Sequence, residues 1–153
     1  DWSSDVCSSI SLMPSYLRDY ITEFNYLFHQ IYKCRNQAGA NESHEPFYGF
    51  GNNLRKFLEA FLFFKFPHQD DKNDAFERIK KFFGDEDATA IALVNRLNNE
   101  FSHLESIPDR GFRPVEIPEI SKVANYVLDK IYEADPHQYN ALLKSIGEPP
   151  RAQ

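Results

Sequence analysis

Apolar positions recur at intervals of three and four along nearly the whole chain, the spacing of one face of an α-helix. From Pro14, the residues Leu17, Tyr20, Ile21, Phe24, Phe28, Ile31 and Tyr32 step in this way and predict one long helix that fades near Asn36. Pro14 suits a first helical turn, where its missing N–H has no partner to lose. Residues 37–46 are polar and carry Gly39 and Pro46, the composition of a loop. A second helix is expected from about Asn52 to Phe64, with Leu54, Phe57, Leu58 and Phe61 on one face. Phe63, Phe64 and Phe66 add to its apolar content, and Pro67 ends what reads as the central, most buried helix. Lys72 to Phe83 predicts a short amphipathic helix with Phe76, Ile79 and Phe83 inward, stopped at Gly84. Asp85, Glu86 and Asp87 then stand where a helix start favours acids. The fourth helix runs from Ala88 to about Leu104, with Ala90, Leu93, Val94, Leu97, Phe101 and Leu104 inward. A loop with Pro108, Gly111 and Pro114 follows. Pro118 opens a fifth helix to about Glu133, with Val123, Val127, Leu128 and Ile131 inward. Asp135-Pro136, a cap and a first-turn proline, starts a last short helix through Leu142, Leu143 and Ile146. Five to six helices with short connections, and no internal repeat, predict an all-α fold, a single helical bundle over residues 14–147.

Composition narrows the picture. The 153 residues suit one domain, and 14 Phe, eight Tyr and one Trp supply the bulk of its core. Six Gly are too few for a Gly-rich nucleotide fold or an all-β barrel. The richest apolar window, Phe57 to Phe66, is broken by Glu59 and Lys65, so no segment reads as a membrane span. A formal charge of −6 excludes a broad nonspecific nucleic-acid coat and leaves room for one local basic site. Cys7 and Cys34 have neither zinc-site spacing nor the number for a disulfide framework, and a reducing cytoplasmic setting is expected. The start, Asp1 to Ser9, lacks the basic and apolar regions of a signal peptide. It resembles translated adapter read-through at a broken gene end. Residues 1–12 are therefore expected to be a non-native or disordered leader, the chain to be the C-terminal piece of a longer protein, and residues 148–153 to form a frayed tail.

Two constellations carry candidate chemistry. On the fourth helix, Asn99, Glu100 and His103 lie within about 60° of Arg96, off the apolar stripe of Leu93, Leu97 and Leu104. A guanidinium, an amide, a carboxylate and an imidazole on one face suit metal-free RNA cleavage. A base must take the 2′-OH proton, and a cation must stabilise charge developing at phosphorus. Histidine titrates near neutrality, and the arginine fork fits phosphate. The same residues also suit an ordinary solvent-facing helix with an i,i+4 ion pair. On the second helix, Arg55 and Glu59 form another i,i+4 pair among Leu54, Phe57, Leu58 and Phe61. Charges there are costly unless paired, so this edge looks either into a polar pocket or out to water. If the two helices face each other, two Arg, two Glu, one His and two Asn converge. Asp70-Asp71, Asp85 to Asp87 and Lys80-Lys81 read as loop, cap and solvated-face residues. Arg110, Arg113 and Lys122 are cations that nothing in their spacing assigns to phosphate, and no Walker A segment, GxGxxG, GxSxG or CxxC is present.

Three strings in order carry a resemblance. They are Leu17-Arg-Asp-Tyr-Ile-Thr-Glu-Phe-Asn-Tyr-Leu-Phe28, Asn53-Leu-Arg-Lys-Phe-Leu-Glu-Ala-Phe-Leu62 with Phe64-Lys-Phe-Pro67, and Arg96 to Leu104 with its Asn-Glu-Phe-Ser-His core. Together they resemble the region after the ATPase signature in large bacterial AAA/ABC-type ATPases, the RloC/PrrC-like proteins with a CR006-type P-loop domain. Those proteins are linked to phage defence and anticodon nuclease activity. The resemblance implies a HEPN-like bundle bearing Arg-x(4–6)-His, which Arg96 and His103 match with six residues between them. It implies an Arg-xxx-Glu pair before that His, which Arg55 and Glu59 match. His103, Arg96, Arg55 and Glu59 would then be catalytic, with Asn99 and Glu100 supporting them from behind. The family string has one Asn before Glu; here Asn98 and Asn99 both stand there and turn Arg96 relative to His103. No cofactor is implied for this piece, since ATP and Mg belong to the upstream ATPase domain. That domain, tRNA and a second copy of the chain are the implied partners. The alternative is a non-catalytic helical module that packs on the ATPase and relays its state or binds a partner.

Overall fold

The structure, a computed structural model, describes residues 18–36, 45–67, 74–102 and 117–152. Every regular element among them is helical. They are α1 (Glu23–Lys33), α2 (Glu45–Tyr48), α3 (Phe50–Lys65), α4 (Asp74–Phe83), α5 (Ala88–Ser102), α6 (Ile117–Ala134) and α7 (Pro136–Ser145). The all-α expectation holds. Six of the helices are those read from periodicity, and α2 is a single extra turn. The leader 1–12, the helix start at Pro14, the loop residues 37–44, Lys72, Leu104 and the loop with Pro108, Gly111 and Pro114 lie outside the described residues, as do the side chains of Phe76 and Phe101.

The boundaries follow local chemistry. Helix α1 starts at Glu23, later than apolar spacing alone implies, because the Thr22 hydroxyl accepts the Asn25 backbone N–H and caps it. Residues 18–22 are consequently turn and bend, and Ile21, expected inward, is 83% exposed. Helix α4 stops at Gly84, whose φ of 77° belongs to the left-handed region. The Asp87 carboxylate accepts the Thr89 N–H at 3.0 Å and opens α5. Asp135 caps α7 through the Gln138 N–H at 3.0 Å, with Pro136 in the first turn as anticipated. Helix α7 ends in a paired closure: the Gly147 N–H donates to the Lys144 carbonyl and the Glu148 N–H to the Leu143 carbonyl, with Gly147 at φ 79°.

The core is built from facing stripes. Helix α3 buries Phe50, Leu54, Phe57, Leu58, Phe61 and Leu62, and packs on α1 and α4. Phe57 stacks on Phe24 of α1 at 4.6 Å between ring centres. Phe28, fully enclosed, lies 6.1 Å from Phe57 and edge-on to Tyr139 of α7 at 5.7 Å. Phe83 of α4 stacks on Tyr126 of α6 at 6.0 Å. Ala90, Leu93, Val94 and Leu97 of α5, and Val127, Leu128 and Ile131 of α6, are buried as their spacing implied. Phe63 and Phe64 are not: they lie off the stripe of Phe57 and Phe61 and are exposed, Phe64 at 80%. Residues 148–152 follow α7 without regular structure. Arg151 reaches Asp129 of α6 at 2.7 Å, and its backbone N–H donates to the Asn140 side chain of α7 at 2.9 Å. A charged fork held by a carboxylate and a backbone donor held by an amide fasten a segment that has no apolar stripe of its own. Truncating Phe57 to Ala should destabilise the domain by about 3–5 kcal/mol, the cost of an aromatic cavity in a packed core. Urea unfolding of the two proteins, compared at equal m-value, measures it.

Candidate functional site

Arg55 and Glu59 occupy successive turns of α3, beside the stripe that packs on α1. Their side chains stand 3.8 Å apart, with Arg55 18% and Glu59 42% exposed. The pair therefore sits at the rim of the core, with the arginine stem sheltered and the carboxylate in water. Arg55 also donates to the Asn52 side-chain oxygen at 3.1 Å, which holds its fork along the helix. Next to Arg55 on the same helix, Lys56 reaches Glu23 of α1 at 3.8 Å. Arg55 and Glu59 thus form a guanidinium–carboxylate unit on one side of α3, and the guanidinium fork is the side-chain group whose geometry fits phosphate.

Arg96 lies on the outer side of α5, 52% exposed, and its guanidinium binds the Glu119 carboxylate at the start of α6. The contact ties together two helices whose connecting loop is outside the described residues. Of the residues that helical spacing singles out, then, Arg55 and Glu59 are brought together, and Arg96 is held by a partner that spacing does not reveal. His103 lies outside the described residues, as do the side chains of Asn99 and Glu100; the α5 backbone runs on through Ser102. Arg110 and Arg113 also lie outside them. Among the described residues no three His, Cys, Asp or Glu side chains gather as a metal site, and no helix is long and apolar enough to cross a membrane.

Sequence reasoning also missed a titratable pair. The Tyr20 hydroxyl and His29 Nδ1 are 2.6 Å apart, in a half-buried contact between the segment before α1 and the helix itself. Tyr20 leans edge-on against Tyr26 at 5.3 Å, so residues 18–22 are anchored although they are not helical. Burial first, then the Lys33 ammonium, push the His29 imidazole below its ordinary value of 6.5, with Glu148 opposing. Burial, then Asp19, push the Tyr20 phenol up. No periodicity links positions nine apart across a cap, which is why this pair carried no signal.

The chain matches the AAA domain family over residues 3–129, most of its length, and belongs to that family. The match includes α1 to α5 and most of α6, and begins within the stretch expected to be a leader. No curated protein and no solved structure matches the chain.

Two outcomes are expected. A double-mutant cycle on Arg96 and Glu119 should give a coupling below about 1 kcal/mol, because both groups stand in water. Stability should fall as pH drops below 6.5, the ordinary histidine value, toward the lowered folded value of His29. In that window the unfolded chain binds the proton and the folded one does not, so the contribution is complete above the window and lost through it. Thermal midpoints of wild type and His29→Gln across this range check it: the variant should show the shallower acid slope.

Proposed function

We propose that this chain is the C-terminal helical domain of a bacterial defence-type AAA ATPase, a HEPN-like bundle that cleaves tRNA without a metal ion. The observation that carries the reading is the Arg55–Glu59 unit, a guanidinium and a carboxylate already within 3.8 Å on one helix of an AAA-family chain. His103 would act as general base or acid on the 2′-OH and the leaving 5′-oxygen. Arg55 and Arg96 would bind the phosphate and stabilise its developing charge, and Glu59 would orient the base or share its proton. Asn99 and Glu100 would hold these groups in place. ATP and Mg would act in the upstream ATPase domain, which is the domain's partner in the same chain. A second copy would set two such sites side by side in the cytoplasm.

A second reading draws on Arg96. Its fork is engaged by Glu119, as befits a strut between α5 and α6 in a module that packs on the ATPase and relays its state. Cleavage of tRNA by the full-length protein decides between the two. His103→Ala should lower the rate by roughly 10²–10⁴, the usual worth of a general acid or base. Undiminished cleavage removes the proposed centre and leaves the relay module.

A further inference from the structure

At the end of α1, the chain's tail and two neighbouring helices gather a set of groups that neither reading uses. The Arg35 guanidinium lies over the Tyr32 ring, 3.8 Å from its centre. The Arg151 guanidinium lies over the Tyr132 ring at 4.5 Å. Tyr139 joins the group, edge-on to Tyr132 at 5.5 Å; burial pushes its phenol up, and the Arg151 and Arg35 charges oppose that. Burial, then the Glu148 charge against the opposing Arg35 charge, push the Tyr32 phenol up. The Asn125 side chain donates to the Arg35 backbone carbonyl at 2.6 Å, which holds the end of α1, and Asp129 holds the Arg151 fork at 2.7 Å. Both arginines remain exposed.

We infer that this surface docks a single-stranded segment of RNA, with Arg35 and Arg151 as two fixed stations for its bases and phosphates. The inference rests on the RNA-directed reading above and names a place where that substrate is held. A guanidinium stacked on a tyrosine has one π-face used and the other turned outward, where a base can stack. Its N–H edge remains for phosphate; a guanidinium carries five donors, so Arg151 keeps several beyond its bond to Asp129. Holding the Arg151 fork on Asp129, and resting the Arg35 fork on Tyr32, lowers the ordering cost of binding. Local charge agrees: Lys33, Arg35 and Arg151 against Asp129 and Glu148 give a positive balance on a chain whose total is −6.

The probe is an oligouridylate with 2′-O-methyl groups, which cannot be cleaved through its own 2′ oxygen, bound to the full-length protein and followed by fluorescence anisotropy over a range of salt. Arg35→Gln and Arg151→Gln should each weaken binding about tenfold, and each should reduce the salt slope by about 0.7, one phosphate contact on a single strand. Arg35→Lys should keep the slope and lose affinity, because an ammonium holds charge but does not stack. Thermal midpoints guard against misreading the tail variant, and Arg35→Gln, at an exposed position, decides alone if Arg151→Gln loosens the fold. Wild type that does not bind the oligomer, Arg35→Gln with unchanged affinity and slope, or equal displacement by an oligoglutamate peptide overturns the inference. Cleavage by His103→Ala is scored separately. Lost cleavage with unchanged binding supports both proposals, and retained cleavage with weakened Arg35→Gln binding leaves only the docking surface.

Discussion

The contact between α1 and α3 holds the rest of this domain in place. Phe28 is sealed from water and touches both Phe57 and Tyr139. One ring thereby joins the first helix to the third and the last, elements far apart in sequence. Offset and edge-on aromatic contacts are directional as well as apolar, so they set orientation as well as proximity. With α1 held, the Arg55–Glu59 unit is displayed along the rim of α3, and the tyrosines of α1, α6 and α7 meet near the end of α1.

Much of this was legible in residue order. The apolar stripes of α3, α5 and α6 and the Asp135-Pro136 start of α7 needed only helical periodicity and capping chemistry, and they landed within a few residues of the observed ends. Arg55 and Glu59 were also readable, because four residues along a helix is a geometric statement. What failed has a common cause: the deciding contact lay outside the local pattern. Ile21 fits the period but lies before Thr22, and a cap outranks a repeat. Phe63 and Phe64 are apolar but off the stripe, and a helix can bury only one face against its neighbours. The partner of Arg96 stands 23 positions away, across a loop, where no local pattern reaches. The tail offered no apolar signal because it is held by charge and hydrogen bonds.

Membership of the AAA domain family and the helical fold constrain function without specifying it, since activity resides in particular side chains rather than in architecture. Two features here are independent of each other. One is the ion pair on α3, where the proposed phosphate grip lies; the other is the pair of guanidiniums over tyrosine rings, where the proposed strand docking lies. A protein that must grip a flexible polymer and act on one bond of it benefits from separating these tasks, because strength of holding then changes without disturbing the reacting atoms.

Cys34 closes α1 immediately beside the Arg35–Tyr32 stack, and its side chain is wholly enclosed. Burial pushes its thiol up to about 12, with Lys33 opposing. A sulfur in that condition is inert toward alkylating reagents for as long as the helix end stays docked. Its modification is therefore a clock for the rare lifting of that one joint, timed against the breathing of the whole domain.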